Sequence, residues 1–237
     1  TIQEVAPQFR TPFIVGNYVW STALAYRTDT MKKAPTGGWK DLWDAKGFPG
    51  RRGLRKYPVD SFEPALMADG VAPDKVYPID MDRAFKSLDK IKKDVAVWWT
   101  GGAQSSQLIK TGELDMAVMW NGRAQAVIDE GAPVALSWNQ ATWSYDGWTI
   151  PKGNPKADIV RRFIKFASEA KNQAELAKHI AYGPTNANGL KFVDDKRKLA
   201  LPTNPEYFKN MVQNNAAYWQ KNQEKAIERF NAWVATA

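Results

Sequence analysis

Along the chain, apolar positions alternate between helical spacing and short continuous runs, the pattern that builds an α/β protein. Residues 13–26 mix β-branched and aromatic side chains with small ones and read as strand, interrupted at Gly16-Asn17 and again at Ser21-Thr22. Residues 39–43 read as one or two helical turns stopped by Gly47 and Pro49, and residues 51–54 as a short strand. Helices are expected over 62–69, ended by Gly70, and over 80–93, where Ala84, Phe85, Leu88 and Ile91 share a face. Residues 95–99 read as a buried strand, followed by a Thr100-Gly101-Gly102 turn and a helix over 103–110. Residues 114–120 repeat that unit, with a helix over 124–130 stopped by Gly131. Residues 133–136 and 148–150 read as separate short strands, and 158–181 as one or two helices broken near Lys171-Asn172. A last helix over 210–235 turns Trp219, Ile227, Phe230 and Val234 inward. The alternation predicts a mostly parallel sheet, in which ligands sit outside the carboxyl ends of the strands. Trp20-Ser21, Thr100 to Gln104 and Asn121 to Arg123 all follow strand-like runs.

Composition narrows the chemistry. With 237 residues the chain is long enough for one large domain or two lobes. The absence of Cys, with His179 as the one histidine, excludes thiolate metal sites, disulfides and thiol nucleophiles, and no cofactor is expected. No run approaches the roughly 18 apolar residues of a membrane span. Residues 1–5 carry neither the basic nor the apolar region of a signal peptide, so the chain reads as already processed or as starting downstream of one. The net charge of +8 raises nucleic acid as a partner, but the densest basic segment, 191–198, is interrupted by Asp194 and Asp195, so a solvated basic surface is expected and no nucleic acid. Asp194-Asp195 and the pair Asp80 and Asp82 read as helix-capping carboxylates rather than acid–base machinery. Ser105 and Ser106 lack a positioned base, so the chain is not expected to be an enzyme.

The informative stretch runs from Trp120-Asn121-Gly122-Arg123 to Tyr145-Asp146-Gly147-Trp148. One cation and one anion next to rings and glycines describe the pocket of a small zwitterion. An arginine fork meets two carboxylate oxygens at once, an aspartate pairs an ammonium group, and aromatic faces attract cations and exclude water. A buried structural Arg–Asp pair is the alternative. The turn at Thr100, Gly101, Gly102 and Gln104 presents backbone N–H groups at a helix start, either as an anion-binding turn or as an ordinary capped one. Trp39, Trp43, Trp219 and Trp233 look like helix-face packing, whereas Trp20, Trp99, Trp120 and Trp148 stand at element ends, where ring faces can remain open.

Five segments in order resemble the periplasmic solute-binding proteins of ABC importers, in particular the spermidine/putrescine-binding group and its γ-aminobutyrate-binding relatives. They are Tyr18-Val19-Trp20-Ser21-Thr22-Ala23-Leu24-Ala25-Tyr26; Gly38-Trp39-Lys40-Asp41-Leu42-Trp43; Gly112-Glu113-Leu114-Asp115-Met116-Ala117 leading into Trp120-Asn121-Gly122; Asp146-Gly147-Trp148-Thr149-Ile150-Pro151-Lys152; and Tyr182-Gly183-Pro184-Thr185-Asn186. The resemblance implies a two-lobe type II periplasmic-binding-protein fold, with one lobe formed by 1–24 and 146–186 and the other by 25–145 and 187–237. It also implies that the N-terminal strand–helix–strand unit of the first lobe is not in this chain, so the chain would be a fragment that associates with that segment. It implies a periplasmic location, a membrane ABC permease as partner and a monomeric state. Trp20, Trp120 and Asp146 match positions that supply an aromatic box and an amine-pairing acid in polyamine binders, and Asp60 falls near another acidic position. Arg123 departs from the small residue found there in polyamine binders and would repel a second ammonium group. The expected ligand is therefore γ-aminobutyrate or another ω-amino acid, with polyamine or carbohydrate as alternatives. The expected ligand-binding residues are Arg123, Asp146, Trp20, Ser21, Trp99, Thr100, Gln104, Trp120, Trp148 and Asp60.

Overall fold

A computed structural model describes residues 2–236. The strands are β1 (Val15–Arg27), β2 (Arg52–Arg55), β3 (Val95–Trp99), β4 (Met116–Trp120), β5 (Val134–Trp148), β6 (Gly183–Pro184) and β7 (Val212–Gln213). The helices are α1 (Trp39–Trp43), α2 (Phe62–Ala68), α3 (Met81–Ile91), α4 (Gly102–Lys110), α5 (Asn121–Asp129), α6 (Ala157–Ala167), α7 (Ala170–His179), the single turns α8 (Asp195–Lys198) and α9 (Pro205–Phe208), and α10 (Ala216–Val234). Two units result: Thr1–Ser21 with Trp143–Lys209, and Thr22–Thr142 with Asn210–Ala237.

The sheet order is β3-β2-β4-β1-β5-β7, with β6 also on β1. It is mixed where the alternation predicts mostly parallel pairing. β2 runs parallel to β3 and β4, while β1 is antiparallel to β4, pairing Thr22 with Trp120 and Tyr26 with Met116. The parallel part is the α/β repeat itself, whose crossover helices require parallel strands. β1 is one uninterrupted strand despite Gly16-Asn17 and Ser21-Thr22, and residues 134–148 form one long strand where two short ones are expected. Small residues do not break a strand whose backbone groups are paired by neighbours, and Gln140 absorbs local irregularity at a φ of 62°. β3 is buried only at Trp99, partly buried at Val95, Val97 and Trp98 and exposed at Ala96, because it lies at the sheet edge.

The second unit holds the larger core. Leu24, Leu42, Leu54, Phe62, Leu66, Phe85, Leu88, Met116, Val118, Trp219 and Phe230 form one buried cluster. Helix α3 presents Ala84, Phe85, Leu88 and Ile91 to it as their spacing predicts, and Asp80 caps the helix by accepting from the Arg83 N–H at 3.0 Å. A smaller cluster of Ala25, Ile109, Leu114, Ala117, Met119, Ala124 and Val127 seats α4 and α5 on the sheet. Arg52 is almost fully buried, yet among the described residues it makes no ion pair with a carboxylate. Its guanidinium donates to the carbonyls of Leu42 (2.7 Å), Gly50 (2.6 Å), Asp44 (3.2 Å) and Phe48, locking the segment between α1 and β2. Burial pushes its pKa below the usual guanidinium value.

In the first unit, Ala174, Ala177, Ala181, Val193, Ala200 and Leu201 form the core. That packing draws 187–209 into this unit, whereas the sequence expectation places the residues after 186 with the other lobe. The Tyr182-to-Asn186 segment is organised by Gln173, whose side-chain oxygen accepts from the N–H groups of Thr185 and Asn186, each at 2.8 Å. The Thr185 hydroxyl donates to the Gly16 carbonyl at 2.7 Å, fixing the start of β1.

Phe230→Ala empties a fully buried ring site among Phe62, Phe85 and Trp98. We expect it to destabilise the protein by about 3–5 kcal/mol in urea unfolding, against less than about 0.5 kcal/mol for the exposed control Lys225→Ala.

Candidate functional site

In the first unit the site residues gather around Asp146. Tyr18 and Trp20 stand two apart on β1 and so project from the same face. Both donate to this one carboxylate: the Tyr18 hydroxyl to Oδ2 at 2.8 Å and the Trp20 indole N–H to Oδ1 at 3.2 Å. Tyr182 stacks on Tyr18 with centroids 4.8 Å apart and an interplanar angle of 24°. Burial pushes the Tyr18 phenol well above its ordinary pKa, and the hydrogen bond to Asp146 and that group's charge add to the effect, so Tyr18 remains a donor. Asp146 itself is exposed. Its carboxylate is aimed by two donors, and each oxygen keeps acceptor capacity for a ligand. Tyr18 and Tyr182 were not among the residues expected at the site, although the i, i+2 spacing of Tyr18 and Trp20 is a usable signal for the first.

Ser21, next along β1, is fully buried. Trp148, two residues beyond Asp146, lies elsewhere on this unit, edge-on to Phe163 at 5.1 Å. It lines a groove of about 850 Å³ with Phe13, Ile14, Ile150, Arg161 and Lys165, and its buried indole N–H finds no acceptor among the described residues.

The second unit gathers a different set. Asp60 adopts a φ of 71° and is fully buried. Its Oδ1 accepts from the Thr22 hydroxyl at 2.8 Å, and its Oδ2 from Arg55 Nη1 at 2.7 Å and from the Trp120 indole N–H at 3.1 Å. Residues from β1, β2 and the end of β4 thus converge on one carboxylate. The Arg55 Cζ lies 4.6 Å from the centre of the Tyr57 ring and 4.9 Å from that of Trp120. Trp99 is fully buried where an open ring face is expected: it donates to the Val118 carbonyl at 3.0 Å and meets Trp120 edge-on at 5.5 Å. Its place at a strand end looks exposed in sequence, but β4 takes it up, through the Val118 carbonyl and the Trp120 ring.

Trp120 also borders Gly102, where a Cβ would come within 3.0 Å of its ring and 2.9 Å of Arg123 Nε. A glycine there lets Arg123 and Trp120 share this corner. Arg123 is the third residue of α5, is exposed, and finds no side-chain partner for its guanidinium among the described residues. A cation in the first helical turn opposes the helix dipole, at a cost of about 0.3–1 kcal/mol, so its position serves no evident structural end. At the start of α4, Gln104 Oε1 accepts from the Thr100 N–H at 2.9 Å. That backbone donor is therefore satisfied within the turn.

Glu63, also unanticipated, extends the cluster inward. It is fully buried, receives the Asp60 N–H at 3.2 Å, and accepts from the Tyr77 hydroxyl (2.6 Å) and the Trp219 indole N–H (2.9 Å). Burial pushes its pKa up to about 7, with the charge of Asp60 adding to the rise. Among the described residues no group of side chains could hold a metal ion, and no helix is long and apolar enough to cross a membrane.

This arrangement of open and committed charges occurs in a chain whose residues 12–200 match the family of bacterial extracellular solute-binding proteins, and the chain belongs to that family. It is 35% identical over 226 residues to the gamma-aminobutyric acid-binding protein of Pseudomonas aeruginosa, covering 93% of this chain and 64% of that relative's length. An ABC transporter substrate-binding protein from Bradyrhizobium japonicum shares the fold with a TM-score of 0.91 at 40% identity, over 98% of this chain and 74% of that one. The Atu4243 GABA receptor matches with a TM-score of 0.89 at 37% identity, over 99% and 72% of the two chains. The first of these is named as a binding protein for gamma-aminobutyric acid and the second as the substrate-binding protein of an ABC transporter.

Glu63 makes stability depend on pH. Its folded-state pKa lies above the ordinary 4.5, so its proton favours the fold most below about pH 4.5, and that contribution fades as pH rises through about 7. Between pH 5 and 8 we expect the unfolding free energy of the wild type to fall relative to Glu63→Gln, by up to roughly 3 kcal/mol. Parallel curves from urea titrations of the two proteins would refute the assignment.

Proposed function

We propose that this chain captures γ-aminobutyrate or another ω-amino acid as the solute-binding component of an ABC importer and presents it to a membrane permease. Arg123 pairs with the ligand carboxylate and Asp146 with its ammonium group, while Trp20 and Trp120 supply ring faces. The observation that carries this reading is the contrast between charges: Arg123 is an exposed cation whose guanidinium has no side-chain partner among the described residues, and Asp146 is an exposed carboxylate held in place by Tyr18 and Trp20. The gamma-aminobutyric acid-binding relative and the GABA receptor structure support the ligand class. A diamine would need a second open carboxylate, and Asp60 is already committed to Arg55, Thr22 and Trp120.

The energetics are sufficient. Each charge-assisted hydrogen bond contributes about 1.5–3 kcal/mol and each cation–π contact about 0.5–2 kcal/mol, against the roughly 8 kcal/mol of micromolar binding.

Calorimetry with γ-aminobutyrate, putrescine and spermidine tests the reading, and the amino acid is expected to bind most tightly. Arg123→Ala and Asp146→Asn should each weaken γ-aminobutyrate by about a hundredfold or more, a loss near 3 kcal/mol, with unchanged circular dichroism. Preference for a diamine, or full affinity in either variant, rules the assignment out.

A further inference from the structure

The second unit carries an ion pair whose position is peculiar for a structural brace. Asp60 is fully buried, the Arg55 side chain remains 19% exposed, and the pair stands against Trp120, the residue three positions before Arg123. Arg55 reaches Asp60 through Nη1 at 2.7 Å while its guanidinium lies over both the Tyr57 and Trp120 rings. The same Asp60 oxygen that receives Arg55 also receives the Trp120 indole N–H at 3.1 Å. Without Arg55, a buried carboxylate would keep only the Thr22 hydroxyl, the Trp120 N–H and whatever cation came to it. A carboxylate so placed beside two aromatic rings is an ammonium site.

We propose that the Arg55–Asp60 pair selects the charge of the ligand: Arg55 occupies the place an ammonium group would take against Asp60 and the Trp120 and Tyr57 rings, so the second unit accepts a carboxylate and refuses a second amine. Arg55 is thus a specificity-determining residue that acts through Asp60 and Trp120. This rests on the reading that Trp120 and Arg123 face the ligand. The pair sets the local charge near zero and leaves Arg123 as the net cation. Removing Arg55 makes the pair negative and cancels Arg123, whereas removing the Asp60 charge makes it positive and reinforces Arg123.

Two variants read this in opposite directions. Arg55→Gln should weaken γ-aminobutyrate at least tenfold and tighten putrescine at least tenfold relative to wild type. Asp60→Asn, whose one amide oxygen can take the Oδ2 place and accept from Trp120 while its NH2 group donates to the Thr22 hydroxyl oxygen, should tighten γ-aminobutyrate severalfold and steepen its salt dependence. Arg55→Lys, which restores the charge, should return putrescine to the wild-type level. A brace without a role in selectivity weakens γ-aminobutyrate in both Arg55→Gln and Asp60→Asn and gains no putrescine binding; that result overturns the proposal, as does failure of both variants to fold. If only one folds, its own direction of change decides. A wild type that ignores γ-aminobutyrate refutes the ω-amino acid assignment alone, because an opposite displacement of putrescine affinity by the two variants would still show charge selection.

Discussion

A carboxylate that loses all contact with water must recover its hydration from the protein, and Asp60 imposes that demand on the second unit. Burying an unpaired charge costs several kcal/mol. Asp60 avoids that cost because three donors, from β1, β2 and the end of β4, reach it within 3.1 Å. The donors cannot shift without leaving it unsatisfied, so Trp120 and Arg55 are fixed by the same requirement. The left-handed backbone of Asp60 then has a physical reason: local strain is tolerated where surrounding contacts over-determine it.

Charges in this protein fall into two populations. Arg52, Arg55 and Asp60 are spent on internal partners and set the shape of the second unit. Asp146 keeps its carboxylate exposed after two aromatic donors have oriented it, and the Arg123 guanidinium is exposed with no side-chain partner among the described residues. A charge satisfied internally has little left to offer a ligand, so a binding site is recognisable as a place where satisfaction is left incomplete.

Much of the secondary structure was legible because periodicity reports burial directly. The apolar face of α3, the buried run of β4 and the inward ring of Phe230 all sit where spacing places them. The Asp80 and Asp194 caps were legible for the same local reason: each accepts a backbone N–H three residues on. Pairing direction was not legible. Neither the continuity of β5 nor the antiparallel register of β1 on β4 is encoded within either strand; each depends on a neighbour distant in sequence. Trp99 shows the same limit, since its flanking residues suggest an open ring and its packing against β4 closes it.

The sequence by itself determined the α/β class, the family resemblance, the lack of thiol chemistry, and the presence of Arg123 and Asp146 among rings, because these follow from residue identity and order. Only the tertiary structure decided which acids and bases are committed. It put Asp60 against Arg55, tied Asp146 to Tyr18 and Trp20, and buried Glu63 beside Tyr77 and Trp219. The reason is that a side chain's charge is written in its identity, whereas its availability depends on what the fold brings within about 3 Å of it.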